Sequence, residues 1–490
     1  MKLLKYNIWT IGCQMNEADS RHLGSQLEAI GFAMTEDPEE ADLMVLNTCV
    51  VRQQAEDRAI GRLQFVSALK KRKPELTVGL MGCMVGMREA PRLQKQFPFV
   101  DVFMPPSDPG PLLDFLRKTP DEDADARMED IRSKTVQNAI QDEEYILPAL
   151  SRHNTIQANV PIVLGCSHAC TFCVIPYRRG PERSRPPQDI LLEIKKLTAQ
   201  GVREIMLLGQ IVDRYGTDFD EPYGLAELLR DVAAIPEVLR IRYLTGHPNY
   251  MTDRIIEVTR DEPKVMPHFE LPVQAGNNKV LEDMKRGYTR EDYRVLIERV
   301  RRICPDNTIN TDIIVGFPGE TDEEFMDTYD LIKELELDKV HLAKYSERPK
   351  TIAARKMPDD VSHDEKERRR LLIDELVDDI LARKNQRWLD QEVEVLVESR
   401  HKGKWRGRTP HNRLVFFEAD ENMRGALVDV KITFTSPYSM QGELVRVSVP
   451  AIPQPLDLSS VPMFHRPLKE TLPAETLGAE TLGAETLGAV

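Results

Sequence analysis

Between about residues 151 and 384, six short apolar segments alternate with helical patterns. The segments read ANVPIVLG, REIMLLG, LRIRYLTG, MPHFELP, TINTDIIVG and KVHLAKY, and helical patterns cover 187–200, 222–235, 252–261, 289–303 and 320–336. This alternation is typical of β/α units, whose strands are parallel because each helix carries the chain back across the sheet. Six units predict an incomplete barrel, with its chemistry at the carboxyl ends of the strands.

The first 118 residues predict a separate parallel α/β domain. Its strand candidates YNIWTIG, DLMVLNT and LTVGLMG each run directly into a cysteine, namely Cys13, Cys49 and Cys83. Because ligands of parallel α/β folds collect at the carboxyl ends of strands, these cysteines are expected to lie close together. The sequence leaves two interpretations open here: a second metal site, or three buried cysteines without a ligand.

The rest of the chain divides by composition. Residues 119–150 are rich in Pro, Asp and Glu and are predicted to be an acidic linker, and a charged helix is predicted between 358 and 385. Residues 385–450 hold five short strand candidates with glycine-containing turns, which predict a small β-barrel of oligonucleotide-binding type. Residues 451–490 end in a repeat of ETLGA and are predicted to be disordered.

The composition of the 490 residues favours a cytoplasmic protein without a membrane segment. No run of eighteen apolar residues occurs, and the amino-terminal stretch lacks the apolar core of a signal peptide. Seven cysteines in so long a chain suit a reducing compartment, where thiols serve metals or catalysis.

Two clusters of positive charge interrupt a chain whose net charge is −14. They are RRGPERSR (178–185) and SRHKGKWRGRTPHNR (399–413), and phosphate binding depends on such local clusters rather than on the total charge. We predict RNA contacts by Arg178, Arg179, Arg183, Arg185, Lys402, Lys404, Arg406 and Arg408. A solvated loop is the alternative for each run. Trp405 and Phe416 are expected in the core of the small barrel, with base stacking as the alternative.

A third group of cysteines, Cys166, Cys170 and Cys173, follows the first strand of the predicted barrel in a C-x3-C-x2-C pattern. Three thiolates so spaced hold three corners of a four-iron, four-sulfur cube and leave the fourth iron open to a small molecule. A structural zinc site is the alternative, but it requires a fourth ligand, and His168 inside the short loop would strain a tetrahedral site.

Several ordered strings resemble the methylthiotransferase family of radical S-adenosylmethionine (SAM) enzymes: TIGCQMNEADS, LNTCVVR, GCMVG, CVIPYRRGPERSRP, LPVQAGNNKVLEDMKRGYTR, TDIIVGFPGET and GRTPHNRLVFF. The resemblance implies two [4Fe-4S] clusters, one held by Cys166, Cys170 and Cys173 and an auxiliary one held by Cys13, Cys49 and Cys83. It also implies that residues 385–450 are an RNA-binding TRAM domain. Strings like GCQMN are typical of the MiaB branch, which adds a methylthio group to C2 of N6-isopentenyladenosine at position 37 of tRNA.

SAM is expected across the barrel mouth. The strand ends there offer Gly209, Gln210, Gln274, Asp312 and Gly316, because glycines admit close backbone approach and amide or carboxylate groups bind ribose and methionyl atoms. For GFPGE, a tight strand-to-helix turn is the alternative. Cys304 fits neither cluster and is expected to be a packed thiol.

Several residues depart from the MiaB pattern: Ile211 and Asp213 where Asn is usual, Glu270 where His is usual, Ala275 where Ser is usual, and Thr245–Gly246 where relatives tend to have Ser. Two rival functions remain at this point. One is a ribosomal-protein aspartate methylthiotransferase, and the other is a non-catalytic iron–sulfur RNA-binding sensor. The family resemblance further implies an electron donor such as flavodoxin or ferredoxin, the anticodon stem-loop of tRNA as partner, and a monomer.

Overall fold

The computed structural model describes residues 3–51, 53–118 and 155–452. The predicted acidic linker (119–150) and all but two residues of the predicted disordered tail (451–490) lie outside the described residues. No helix in the described part of the chain is long and apolar enough to cross a membrane.

The amino-terminal region folds as a five-stranded parallel sheet in the order β2-β1-β3-β4-β5. Its strands are β1 (Lys5–Thr10), β2 (Ala33–Met34), β3 (Leu43–Thr48), β4 (Thr77–Gly82) and β5 (Val102–Met104), and its helices are Gln14–Ala29, Gln53–Arg72, Ala90–Gln96 and Gly110–Lys118. Every residue of β3 is buried, because the central strand has helices on both faces. The parallel α/β prediction is confirmed. The sequence missed β2 and β5, which are too short to produce a periodic pattern.

All six predicted barrel strands are present. The strands of this region are β6 (Gln157–Pro161), β7 (Val163–Leu164), β8 (Arg183–Ser184), β9 (Glu204–Leu208), β10 (Arg240–Leu244), β11 (His268–Glu270), β12 (Thr308–Val315) and β13 (Lys339–Lys344). Two parallel sheets, β6-β9-β10 and β11-β12-β13, meet where the Gly246 N–H donates to the Glu270 carbonyl (3.0 Å). The result is a partial six-stranded barrel, and the pair β7-β8 encloses the cysteine loop beside it.

Helices cover the outside of this barrel. They span Ile175–Arg179, Pro187–Ala199, Leu225–Ala233, Asp253–Asp261, Asn278–Asp283, Arg290–Ile303, Asp322–Leu335, Ile352–Lys356 and His363–Asn385. Several begin at a threonine that caps the first turn. Thr289 and Thr321 form capping boxes with Asp292 and Glu324, which satisfies backbone N–H groups that a helix start leaves without partners.

The carboxyl-terminal region is a closed five-stranded barrel in the order β14-β15-β16-β18-β17. Its strands are β14 (Glu392–His401), β15 (Lys404–Arg408), β16 (Leu414–Phe417), β17 (Leu427–Thr435) and β18 (Ser439–Val449). The Trp405 side chain lies in the core, where its indole N–H donates to the Ala419 carbonyl (3.1 Å). The core interpretation of Trp405 is therefore correct, and Phe416 points outward in the alternation of β16.

The small barrel docks on the amino-terminal ends of the large barrel's strands. Arg242, fully buried on β10, donates to the carbonyl oxygens of Thr409 (2.7 Å) and Pro410 (2.8 Å). Arg413 pairs with Asp338 (2.7 Å) beside β13. The last part of the basic run 399–413 therefore makes contacts between domains. Its carbonyl groups accept hydrogen bonds from Arg242, and its Arg413 pairs with Asp338, both at the amino-terminal end of the large barrel.

The amino-terminal sheet covers the opposite end. Met15, next to Cys13, packs against Met206 and Leu208 at the carboxyl end of β9. Arg348, beyond β13, pairs with Glu56 (3.0 Å) on the helix that follows the second cysteine. The cysteine-bearing ends of the sheet and of the barrel therefore face each other.

Candidate active site

Three strand ends bring Cys13, Cys49 and Cys83 into one place. Cys49 and Cys83 follow directly after β3 and β4, and the Cys83 N–H donates to the Thr48 carbonyl (2.8 Å). A Cβ placed on Gly12 would lie 2.9 Å from the Cβ of Cys49, so the first cysteine loop touches the second. The chain thus brings together three thiols that lie 36 and 34 residues apart in sequence.

A buried amide network holds these loops in register. The Asn16 amide donates to Asn47 Oδ1 and to the Thr48 carbonyl (both 3.0 Å), and Asn47 donates back to the Asn16 carbonyl (2.8 Å). Gly82 has φ +99°, and a Cβ there would lie 2.5 Å from Asn47 Oδ1. Because buried amides are costly when unpaired, this network specifies one arrangement of the three cysteines.

Arg179 connects this site to the barrel. Its side chain is 2% exposed, and it donates to Asn16 Oδ1 (3.1 Å) and pairs with Asp19 (3.3 Å). It also hydrogen-bonds to Cys83, which lowers the pKa of that thiol. Burial is the larger effect and raises the pKa to about 11. A thiol held neutral in this way releases its proton when a metal binds.

The second triad lies in the loop between β7 and β8. The Cys166 N–H donates to the Gly180 carbonyl (3.1 Å) and the Cys173 N–H to the Cys170 carbonyl (3.1 Å). Thr171 is held by the Asp283 carbonyl (2.8 Å) through its hydroxyl group. Burial raises the pKa of Cys173 to about 12 and also raises that of Cys166. The loop is therefore anchored on both sides of a compact, poorly solvated group of thiols.

The sulfur positions favour a cluster over a single zinc ion. Among the described residues, no cysteine sulfur belongs to a set of three ligand atoms that all lie within 4.8 Å of one another. Tetrahedral zinc at a Zn–S distance of about 2.3 Å would place its sulfurs about 3.8 Å apart. Thiolates on separate irons of a cube stand farther apart, so the wider spacing is compatible with a [4Fe-4S] cluster in each triad. His168, the candidate fourth zinc ligand, is hydrogen-bonded to Tyr250 instead (3.0 Å).

An arginine that the sequence did not indicate also contacts the second triad. Arg286 donates to the Cys170 sulfur (3.3 Å) from the turn after the helix Asn278–Asp283. It lies 116 residues from Cys170, so only tertiary contact brings the two together. In the sequence, the one indication that Arg286 is functional was its place in MKRGYTR, part of a string that resembles the family.

The five residues predicted to contact SAM differ in their local surroundings. Gly209, Gln210, Gln274 and Asp312 lie at or near the strand ends, and the Gln274 N–H donates to the Asp312 carbonyl (2.9 Å). Gly316 does not offer an open contact, which corrects our expectation. Its N–H donates to Glu320 Oε2 (2.6 Å), and a Cβ there would lie 2.3 Å from Lys366 Cγ. GFPGE is thus a tight turn packed under the last helix.

Asp312 belongs to a polar group with Glu270 and His341 on three adjacent strands. Their ligand atoms lie within 4.8 Å of one another, and His341 Nε2 is 3.2 Å from Glu270 Oε1. Burial alone would raise the pKa of Glu270, but the hydrogen bond from His341 and the nearby His268 outweigh it and lower the pKa. Glu270 is therefore an anionic acceptor at this position.

Comparison with known families divides the chain as the fold does. A model described as the radical SAM superfamily matches residues 160–332, one described as uncharacterized protein family UPF0004 matches 5–105, and the TRAM domain model matches 388–445. The superfamily match implies a [4Fe-4S] cluster and SAM, in agreement with the C-x3-C-x2-C loop.

Curated relatives carry all three parts. A tRNA-2-methylthio-N(6)-dimethylallyladenosine synthase of Roseiflexus sp. (strain RS-1) is 45% identical over 446 residues, covering 90% of each chain. A protein of the same name from Chloroflexus aurantiacus is 43% identical, over 89% of this chain and 91% of the relative. This chain belongs to the tRNA-2-methylthio-N(6)-dimethylallyladenosine synthase family. Among solved structures, the radical SAM methyltransferase TsrM of Kitasatospora setae has a TM-score of 0.52 at 15% identity, covering 72% of this chain and 77% of TsrM, which shows likeness of fold alone.

The RNA-binding prediction is wrong for two of the four arginines after the cluster loop, because their side chains are buried inside the protein. Arg178 is buried, donates to the Met84 carbonyl (3.5 Å) and lies 4.0 Å from Glu89, and Arg179 is buried as described above. Both are drawn inward because the cysteine loops of the amino-terminal sheet supply their acceptors. Arg185 pairs with Glu193 (2.8 Å) and remains partly exposed, whereas Arg183 is exposed.

Asp213, one of the departures from the family pattern, is a buried carboxyl group. Its Oδ2 accepts the His247 N–H (2.8 Å), while its Oδ1 has no partner among the described residues. Burial raises its pKa from 3.8 to about 7. The folded state therefore binds more protons than the unfolded state in this interval, and stability falls as the pH rises through it.

We accordingly expect Asp213→Asn to stabilise the protein more at high than at low pH. Asparagine keeps the acceptor for His247 and removes the cost of a buried charge. The difference in melting temperature between variant and parent should grow from about pH 4 to about pH 7 and then level off. Thermal unfolding at about pH 5 and about pH 8 measures it. A difference that stays constant over this range would contradict the raised pKa.

Proposed function

We propose that this chain transfers a methylthio group to C2 of N6-isopentenyladenosine at position 37 of tRNA, with SAM as a cosubstrate. The observation that carries the proposal is the placement of two cysteine triads on facing ends of two α/β regions, with Arg179 reaching from one loop into the other site. One triad suffices for SAM cleavage, so a second triad, assembled from three strand ends rather than from a local motif, supports a second cluster that handles sulfur.

Each triad has a distinct role in this proposal. Cys166, Cys170 and Cys173 hold the SAM cluster, and Cys13, Cys49 and Cys83 hold the auxiliary [4Fe-4S] cluster. Held by Cys166, Cys170 and Cys173, a reduced [4Fe-4S] cluster would supply the one-electron chemistry needed to cleave SAM and to activate an otherwise unreactive C–H bond. The protein contributes anchored loops, and it excludes water near Cys13, since Met15 packs against Met206 and Leu208 of β9. Gly209, Gln210, Gln274 and Asp312 position SAM.

The small barrel supplies the RNA surface in this proposal. Alternation along β15 places Lys404 and Arg406 outside and Trp405 inside, and Arg406 lies opposite Phe416 on β16. A cation beside a partly exposed ring suits a backbone phosphate and an unstacked base. Lys402 and Arg408 belong to the same barrel, whereas Arg183 and Arg185 lie beside the cysteine loop of the large barrel and would contact the RNA there. Arg408 is partly neutralised by Glu398 (3.0 Å).

We expect replacement of Lys404 and Arg406 together by alanine to weaken tRNA binding in a salt-dependent way. Each lost phosphate contact should reduce the slope of log binding constant against log salt concentration by about one, hence by about two for the pair. Binding of unmodified tRNA at several salt concentrations measures the slope. Arg446→Ala, on β18 and paired with Asp429, removes an exposed cation from another part of the same barrel and should leave the slope unchanged.

The remaining parts follow from the same assignment. We propose an amino-terminal methylthiotransferase domain (1–118), a linker (119–150), a radical SAM core (151–384), a TRAM domain (385–450) and a tail (451–490). We further propose a cytoplasmic monomer that takes electrons from a flavodoxin- or ferredoxin-like donor. The seven reduced cysteines support the compartment.

Mass spectrometry of tRNA nucleosides from cells with and without this gene tests the function. Loss of the 2-methylthio group with accumulation of isopentenyladenosine is the expected result. Unchanged tRNA together with a loss of methylthioaspartate from ribosomal protein would transfer the assignment to the protein-modifying branch. Absence of 5′-deoxyadenosine formation by purified, reduced protein with SAM would favour the sensor.

A further inference from the structure

Arg286 is a buried cation whose contacts include no carboxylate among the described residues. Its guanidinium donates to the Cys170 sulfur (3.3 Å), the Tyr288 hydroxyl (2.9 Å) and the Pro272 carbonyl (3.0 Å). The residue is only 7% exposed. A buried charge without an anion is strongly unfavourable, so the site requires a negative partner.

Other arginines near the two triads have their own carboxylates. Arg179 pairs with Asp19 (3.3 Å), and Arg214 pairs with Glu182 (2.7 Å). Their charges are therefore largely neutralised within the protein. Arg286 differs because, among the described residues, its ionisable contacts are the Tyr288 hydroxyl and the thiol of Cys170, a residue of the cluster loop. Burial raises the pKa of Tyr288 to about 12, so the tyrosine stays neutral and Cys170 is the contact that can supply a negative charge.

Backbone hydrogen bonds fix the position of Arg286 relative to the cysteine loop. Its backbone N–H donates to the Leu281 carbonyl (3.0 Å), and Met284, two residues earlier in the same turn, accepts the Thr171 N–H (3.1 Å) through its carbonyl. Thr171 lies between Cys170 and Cys173, so the arginine turn and the cysteine loop are joined by backbone as well as by side chain. The guanidinium is thus preorganised beside the sulfur.

We propose that Arg286 is a positioning residue that sets the reduction potential of the SAM cluster by donating a charged hydrogen bond to the Cys170 thiolate. This inference rests on the assignment of Cys166, Cys170 and Cys173 to that cluster. A [4Fe-4S] cluster on three thiolates carries one net negative charge when oxidised and two when reduced, and hydrogen bonds to its sulfurs and nearby charge set its potential. A fixed cation stabilises the more negative, reduced form and raises the potential.

The test is a redox titration of the full-length chain, followed by electron paramagnetic resonance. Replacing Cys13, Cys49 and Cys83 by alanine leaves only the Cys166–Cys170–Cys173 cluster in the signal. In this background we expect Arg286→Gln to lower the midpoint potential by about 59 mV or more, a tenfold change in the one-electron equilibrium. Arg286→Lys, which keeps the charge, should stay near the parent.

Three outcomes overturn the inference. Arg286→Gln with a full complement of iron and the parent's midpoint would show that the cation does not act on the cluster. If that variant binds no iron, the result for Arg286→Lys tests the inference instead. A midpoint potential about 59 mV lower in Arg286→Lys than in the parent would exclude the positive charge as the cause. If the cysteine-substituted parent itself assembles no four-iron cluster, the assignment of the triad fails, and that failure is distinct from any effect of Arg286.

Discussion

Cys173→Ala is expected to abolish both SAM cleavage and methylthiolation, whereas Cys83→Ala is expected to abolish methylthiolation and spare SAM cleavage. The two thiols lie in separate triads, each of which fits its own cluster. Loss of Cys173 removes a ligand from the open-iron site, while loss of Cys83 leaves that loop and its anchors to the Asp283 and Met284 carbonyls intact. Formation of 5′-deoxyadenosine and of the methylthiolated nucleoside, measured in the same reaction, separates the two effects.

Iron content provides a second readout and a matched control. Two four-iron clusters correspond to about eight irons in each chain, and each substitution should remove about four. Cys304→Ala serves as the control, because Cys304 is also buried but lies at the end of the helix Arg290–Ile303, where it packs in the barrel core and its thiol donates to the Asp306 carbonyl (3.9 Å). If Cys83→Ala formed as much methylthiolated nucleoside per 5′-deoxyadenosine as the parent does, the auxiliary site would be contradicted.

Arg242→Leu is expected to destabilise the contact between the two barrels by about 3–5 kcal/mol, the usual cost of removing one partner of a buried ion pair. Arg242 is fully buried and lies 3.3 Å from Glu204, which is also buried. Burial lowers the pKa of Arg242 to about 10, so the guanidinium remains charged at neutral pH. Leucine would leave the buried Glu204 carboxylate without its cation and would remove the hydrogen bonds to the carbonyls of Thr409 and Pro410.

The melting temperature should therefore fall by on the order of 10 °C for a unit of this size. Arg446→Ala is the matched control, since its pair with Asp429 is exposed and such pairs contribute about 0–1 kcal/mol. Limited proteolysis should also cut the loop between β15 and β16 faster in Arg242→Leu than in Arg446→Ala. Equal stability of the two variants would mean that the domains are held by other contacts.

The order of strands and helices was predictable because each element has its own periodicity. Strand β12 and the helix Asp322–Leu335 each repeat their apolar positions within one short segment, so neighbours in sequence suffice to define them. The C-x3-C-x2-C loop is local in the same way. The strands β2 and β5 were missed because two or three residues cannot show a period.

The roles of charged residues were harder to predict. The basic runs were correctly noticed, but Arg178 and Arg413 turned out to be paired inside the protein with Glu89 and Asp338. A positive residue in a loop has the same appearance in sequence whether it meets a phosphate or a buried carboxylate. The difference depends on acidic partners that lie tens of residues away.

By itself, the sequence determined the alternating α/β plan, the closed carboxyl-terminal barrel and the two sets of cysteines, because these depend on patterns within short segments and on strand ends that parallel topology brings together. Only the tertiary structure decided which cations accompany the cysteines and how the two barrels join. Arg286 beside Cys170 and Arg242 beneath Thr409 are contacts over 116 and 167 residues. Such pairings arise from packing of complete domains, where a buried charge must find its partner through space rather than along the chain.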